Sequence, residues 1–565
     1  MKKLLFFIFL IIPFSYAEDL KEKIFLAKEL ITLDSFDQES DAILVKKNKI
    51  LAVDKKNNLV RAYPHAEIIS DFQNDVIVPG FIEHHIHPLL AAITMNSHIV
   101  AIDDWTTPNQ KTRGVRNRSE YIAKLQEINE MLEDGEPMIS WGFHHYFHEK
   151  LTRQDLDKIS NDRPILIIHR SFHEFIMNSK ALEFFDISNE DIKNLTVNDK
   201  KHTNITEGHF SERGLIAVMP KVMSYLAAPE RILSGMQITE GYLLQNGITL
   251  IANPGAMYDK SIQGAKNYIF GDIETPFKSL YIPSALYMLE HVSFNDLLNA
   301  TEDQLTWGAG KLEYLSGHIK LFADGAMYSQ NMMLRDGYLD GHEGAWLMEE
   351  EIFDKAFKLY WDAGYQIHVH QNGDAGLDRV LNVLEKNLKQ NPRDNHRTTI
   401  VHFGYAAYDQ VKKIKELGAI VSANPFYVTA LSDLYSKKGV GFERSQQMVR
   451  LGDLEKEDII FSLHSDMPMA PASPLVLMHS AVNRINFANK VAGPNQRVSV
   501  LEALKGVTIN AAFTLGIESN YGSISPGKIA NFTVLSANPL SIDMSSIDAI
   551  KIIATIEEGK IHKIN

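Results

Sequence analysis

Eight apolar runs punctuate the middle of the chain: VIVPGFIEHH, GITLIANPG, SLYIPSALY, GHIKLFADG, YQIHVHQNGD, TTIVHFGY, GAIVSANPF and DIIFSLHSD. Segments of helical period, such as EEIFDKAFKLYWDAG and YDQVKKIKELG, lie between them. Strands alternating with amphipathic helices are the pattern of parallel βα units. Eight such units predict an α/β fold closed as a (β/α)8 TIM barrel. Residues 93–235 break the repeat and carry a strand-like run of their own, RPILIIHR, which predicts an inserted subdomain over the barrel mouth, a candidate lid.

The two ends of the chain read differently. AKELITLDSFDQESDAILVKKNKILAVDKKNNLV alternates apolar and polar positions with a turn at Lys47 and Asn48, and AIKIIATIEEGKIHKIN does the same with a turn at Glu558 and Gly559. Both ends therefore predict short antiparallel strands that join in one small β-sandwich. The expected division is residues 18–75 with 518–565 for the sandwich and 76–517 for the barrel.

The first residues, MKKLLFFIFLIIPFSYA, combine a basic start, an apolar run from Leu4 to Pro13 and small residues at Ser15 and Ala17. That is the pattern of a cleaved export signal over residues 1–17, with an uncleaved anchor as the alternative. No later stretch is long and uncharged enough to span a bilayer. A periplasmic or secreted protein is expected.

Composition narrows the partners. The 565-residue chain is 45% hydrophobic and 23% charged with a net charge of -14, and no dense Lys/Arg tract follows the leader. A polyanionic partner such as nucleic acid is disfavoured, and a small-molecule substrate is expected. A homodimer is compatible with these features. The absence of cysteine means that export brings no disulfides and that any metal takes N and O ligands.

Sorting the histidines by strand places the chemistry. His85 and His87 end the first run, His370 the fifth and His402 the sixth, while Asp466 ends the eighth. All stand at C-terminal strand ends, the rim that carries active sites in a β/α barrel. Neutral imidazole is the commonest zinc ligand, and four His with one Asp suffice for one or two divalent ions. His368 shares a strand face with His370 one layer deeper, which predicts a packing or supporting role. His144, His145 and His148 in WGFHHYFHEK look like a cluster but read more simply as polar residues of a helix or loop.

PGFIEHHIHP, HQNGDAGLDRVL and GSISPGKIANFTVLSANPL resemble the PGFIDxHxH start, the HxxGDxAxxxVL segment and the GSIxPGKxADxxVL tail of the amidohydrolase superfamily. The similarity is greatest to its large-insertion branch, YtcJ-like and N-substituted formamide deformylase-like. It runs from about residue 25 to the C-terminus. The resemblance implies a further ligand on the fourth strand, Lys320, N6-carboxylated to bridge two metals. A neutral buried amine can add carbon dioxide, whereas the alternative is a lysine paired with Asp324 or Glu212. Four positions depart from the family pattern: Glu83, Asn253, Val401 and Asn531.

The resemblance also directs attention to His173, Asn178, His209 and Glu212 in the insertion as residues that approach the pocket. Trp105, Trp141, Phe143, Phe172 and Phe175 there suggest an apolar acyl or aryl group in the substrate. The expected chemistry is metal-dependent hydrolysis of a non-peptide C–N bond with Asp466 as the proton-transfer group. The alternatives are a lactonase or deaminase on the same scaffold, or a catalytically silent exported binding protein.

Overall fold

The computed structural model describes residues 21–34 and 40–564, so the export signal expected at residues 1–17 lies outside them. Eight parallel strands carry the site: β1 (Phe81–Glu83), β2 (Ile248–Ala256), β3 (Lys278–Pro283), β4 (His318–Phe322), β5 (Gln366–Gln371), β6 (Thr399–His402), β7 (Ile420–Ala423) and β8 (Phe461–Leu463). They form two sheets. In one, β1, β2 and β3 follow one another and a short strand, Leu312–Tyr314, extends the edge beyond β3; in the other, β4 to β8 follow in chain order. At the two margins, single parallel bridges join Ser284 to Lys320 and Ile86 to Met467.

The helices between these strands bury one stripe each. Helix Glu350–Asp362 hides Phe353, Ala356, Phe357, Tyr360 and Trp361, an i, i+3, i+4 stripe set against the sheet. Each large side chain so buried contributes roughly 1.5–3 kcal/mol. Helix Tyr408–Leu417 stops at Gly418, whose φ of 68° is left-handed and costs glycine little.

One strand is divided where the apolar run is continuous. VIVP and FIE read as one strand, yet Val76–Pro79 pairs antiparallel with Phe532–Leu535 while Phe81–Glu83 pairs parallel with β2. Pro79 has no N–H for a ladder, and at Gly80 a Cβ would lie 2.2 Å from Thr249 Oγ1, so the backbone passes between the two sheets where no side chain fits.

The chain ends supply the neighbouring sheets. The hairpin of Ala42–Lys46 with Lys49–Asp54 turns at Lys47, and that of Ile552–Glu557 with Lys560–Lys563 turns through Glu558 and Gly559, both with positive φ. Phe25, Ile43, Val45 and Ile50 from the N-terminal side share one core with Phe532, Val534, Ala554 and Ile556 from the C-terminal side.

Between β1 and β2 a six-stranded sheet forms, in spatial order Thr203–Asn204, His209–Ser211, Glu174–Met177, Ile165–His169, Met138–Phe143 and His98–Ile99. It reaches the loops beyond β4, β7 and β8: His145 meets Gln330, Tyr146 Oη donates to Lys438 O, and Arg170 Nε donates to Met469 O. Trp105, Trp141, Phe143 and Phe175 are buried among the apolar residues of this insertion and pack its cores; Phe172 is half-buried. Among the described residues no helix is long and apolar enough to cross a membrane.

Candidate active site

The fold brings the strand-end residues together. The His85 ring centroid lies 5.3 Å from that of His87 and 4.8 Å from that of His402, and the His370 and His402 rings are 4.4 Å apart. Asp466 faces them. Its Oδ1 is 3.1 Å from His87 Nε2 and 3.4 Å from His85 Nε2, and its Oδ2 is 3.8 Å from His402 Nδ1. Oδ1 accepts no aligned hydrogen bond in spite of these short distances. Nitrogen and oxygen that crowd a common point without bonding each other are placed as ligands of a shared ion are placed.

Burial sets the charges. His85, His370 and His402 are held well below the ordinary imidazole value, first by desolvation and then by neighbouring groups including Lys320. They are neutral, as a metal-binding imidazole must be, although His370 Nε2 lies 3.1 Å from the Asn372 side-chain amide and accepts from it in this structure. Lys320, fully enclosed on β4, is pushed down to about 7 by burial against the pull of Asp466. Its Nζ has no hydrogen-bond partner. Neither alternative partner is used: Asp324 accepts from the N–H groups of Asn372, Gly373 and Met333 at 3.0, 2.8 and 2.9 Å, and Glu212 binds His173 and Asn331. An orphaned amine, an unaligned carboxylate oxygen and a set of neutral imidazoles fit a divalent ion bound by N and O ligands.

A buried network behind His402 escaped notice in the sequence. His464 Nε2 lies 3.1 Å from His402 Nδ1, its Nδ1 lies 2.8 Å from Ser422 Oγ, and Ser422 Oγ lies 2.8 Å from His84 Nε2. The series can run in either of two proton orders. The one that leaves a lone pair on His402 Nε2 has His402 Nδ1–H donate to His464, His464 Nδ1–H to Ser422 and the Ser422 hydroxyl to His84, whose Nδ1–H then lies buried without an acceptor. The signal available beforehand was the spacing in FSLHSD, where His464 stands two residues before Asp466. His368 meets His318 at 3.0 Å one layer below the site.

Backbone strain collects at the same place. His402 has φ of 77° and Asp466 of 61°, left-handed values costing roughly 1–2 kcal/mol each in residues with a Cβ. Such strain persists where the surroundings over-determine it, as at functional sites. Glu83, one of the departures, accepts from Ser465 N at 3.2 Å and from His85 N at 3.4 Å, so it ties the end of β1 to the turn carrying Asp466. Asn531 instead holds the C-terminal hairpin by accepting from Glu558 N at 2.8 Å.

The insertion residues separate into two groups. His173 Nδ1 meets Glu212 Oε2 at 3.0 Å; burial lowers its pKa, but the Glu212 hydrogen bond and the charges of Glu212 and Asp466 raise it above the ordinary value. Glu212 also accepts from the side chain of Asn331, on the segment that follows β4. His209 Nε2 bonds Glu174 Oε1 at 2.8 Å inside the insertion's own sheet. Asn178 caps helix Ser179–Phe184 through Ala181 N and also accepts from Ile165 N, so its polar atoms are spent on local structure.

An α/β protein whose parallel strands end in a His/Asp cluster fitted to a divalent ion belongs to the class of metal-dependent hydrolases. A model of the amidohydrolase family matches residues 69–562, and the chain belongs to that family. It is 23% identical to the putative amidohydrolase YtcJ of Bacillus subtilis, over 92% of this chain and 96% of that one. It is 24% identical to N-substituted formamide deformylase of Arthrobacter pascens, over 94% of this chain and 96% of that one. Among solved structures, an uncharacterized metal-dependent hydrolase from Pyrococcus horikoshii superposes with a TM-score of 0.70 at 20% identity, covering 93% of this chain and 99% of its own.

Proposed function

We propose that this chain hydrolyses a C–N bond in a small neutral amide, N-acyl or N-formyl, at a zinc centre in the mouth of a closed (β/α)8 barrel. The observation that carries the reading is the convergence of His85 and His87 on Asp466, with His402 beside them, the His370 ring 4.4 Å from that of His402, and a buried Lys320 amine without a partner on β4. The bridges at both margins of the two parallel sheets support closure. A bound divalent ion supplies positive charge that polarises the amide carbonyl and acidifies a water. Lys320, neutral above about pH 7, is suited to carboxylation and thereby to a second ion.

The chain's own groups do the rest. Asp466 takes the proton of the attacking water and returns it to the departing nitrogen, a role that needs its oxygen free of a competing donor, as Oδ1 is. Glu83 and the His464 network hold Asp466 and His402 in register. His173 and Glu212 present polar atoms to substrate from the insertion. The formamide substrate of the Arthrobacter relative supports the N-formyl choice. The leader supports export.

The test is a screen of zinc-loaded protein against formamides, other N-acyl amides, cyclic ureas, lactones and aminopurines, with Asp466→Asn as control. Turnover of amides that falls about a hundredfold in Asp466→Asn is expected. Turnover of lactones alone would move the reading to C–O hydrolysis, ammonia from aminopurines to deamination, and no turnover in any class to a silent binding protein.

A further inference from the structure

A second histidine cluster stands in the insertion, away from the strand ends. His144 and His145 lie at the start of the short helix His145–His148, and His169 closes the strand Ile165–His169. One ring nitrogen of each lies within 4.8 Å of the others. Spacing alone would suggest another metal site, but the hydrogen bonds say otherwise. Tyr146 N–H donates to His144 Nδ1 at 3.2 Å; Ser171 N–H donates to His169 Nδ1 at 3.2 Å, and the Ser171 hydroxyl, 2.7 Å from the same nitrogen and already accepting from His173 N, has its proton free to donate there too. A backbone N–H can only donate, so both Nδ1 atoms carry lone pairs and each neutral ring has its proton on Nε2. Burial keeps both rings neutral, with His144 well below the ordinary value and His169 near 3.

Those two Nε2–H groups are buried and find no acceptor in the protein. Beside them, His145 Nε2 lies 3.3 Å from Gln330 Oε1, which leaves Gln330 Nε2 buried and without an acceptor as well. A buried donor without a partner costs about 1–3 kcal/mol, so three together are a considerable expense unless something accepts from them. The nearby charges are already compensated. Arg170 is paired with Asp103 at 2.6 Å, and Glu174 with His209 at 2.8 Å. With no spare cation facing the donors, a carboxylate would be desolvated uncompensated, whereas a neutral carbonyl oxygen would not. Arg170, next in the chain to His169, donates to Met469 O at 3.2 Å, and Met469 N–H donates to Asp466 O at 2.9 Å, so the cluster stands beside the turn that carries Asp466.

We infer that His144, His169 and Gln330 form a subsite that receives a second, uncleaved carbonyl of the substrate, which is therefore a dicarbonyl compound such as an N-acyl amino amide. The substrate assignment rests on the hydrolytic reading of the Asp466 end; the subsite itself rests on the donors alone. In zinc-loaded protein with 15N-labelled imidazoles, His144 and His169 show the Nε2–H form, and a metal-bound or Nδ1–H signature at either overturns the inference. Saturation-transfer NMR with N-acetylglycinamide shows binding to the wild type that weakens about tenfold or more in His144→Phe and His169→Phe, while metal content stays the same. N-formylglycinamide is hydrolysed with a kcat/KM at least about tenfold above that of N-formylpropylamine, and the preference disappears in both variants. Histidine-dependent binding without any formamide turnover keeps the subsite and removes the hydrolase reading. Turnover of both formamides at equal rates, with binding indifferent to His144 and His169, or loss of a zinc equivalent in the variants, removes the subsite.

Discussion

The two histidine clusters use one residue type for opposite purposes. At the strand ends, His85 and His87 turn Nε2 toward Asp466 at 3.4 and 3.1 Å, while His402 Nδ1 engages His464 at 3.1 Å in the network with Ser422 and His84, which on the proton order above leaves a lone pair on His402 Nε2. In the insertion, backbone N–H groups occupy Nδ1 of His144 and His169 and push the protons inward. One cluster is a set of lone pairs suited to a cation, the other a set of donors suited to an oxygen. Proximity does not distinguish them. The partner of the outer nitrogen does.

The sharpest way to break this contrast is to remove the candidate ligands that follow β1. His85→Ala with His87→Ala is expected to leave less than about a tenth of an equivalent of metal by elemental analysis after zinc reconstitution, and to abolish turnover. Retention of a full equivalent would mean that the strand ends are not the metal site. Lys320→Ala comes next. It should lose metal and activity together, with partial recovery of turnover on adding short-chain carboxylic acids; unchanged metal and turnover would take the lysine out of the ligand set.

His464→Phe tests the proton order directly. Without the acceptor for His402 Nδ1–H, zinc affinity measured by competition with a chelator should weaken about 10–100-fold. The smallest effect belongs to the insertion. The Glu174 carboxyl is raised by burial, but its His209 hydrogen bond outweighs that and holds it near 2, below the unfolded value of about 4.3. Its contribution is therefore present above about pH 4.3 and lost as pH falls toward 2. Glu174→Gln should lower stability by on the order of 1 kcal/mol at neutral pH in a denaturant titration, with the difference shrinking below about pH 4 and metal content unaffected. A difference that grew as pH fell would contradict the assigned direction.

Much of this was legible beforehand because it depends on periodicity and on strand ends. The eight apolar runs each contain a parallel strand, and the turns at Lys47 and Glu558 fall where the alternation breaks. The short strand Leu312–Tyr314 was missed, since KLEYL is too brief to show a period. The division at Gly80 was missed because one apolar run can serve two sheets. The packing of the insertion's aromatic residues was not legible, since a large apolar side chain looks the same in sequence whether it faces a core or a ligand.

By itself, then, the sequence determined which candidate ligands stand together at strand ends: His85, His87, His370, His402 and Asp466 are there because hydrophobic period and chain order put them there, and those are local properties. Only the tertiary structure decided what each polar atom faces. That Lys320 is buried without a partner, that Asp324 is spent on backbone N–H groups, that His464 supports His402, and that His144 and His169 are donors all follow from contacts between segments far apart in the chain. A proton on a ring nitrogen is placed by its neighbour in space, and no pattern along the chain names that neighbour.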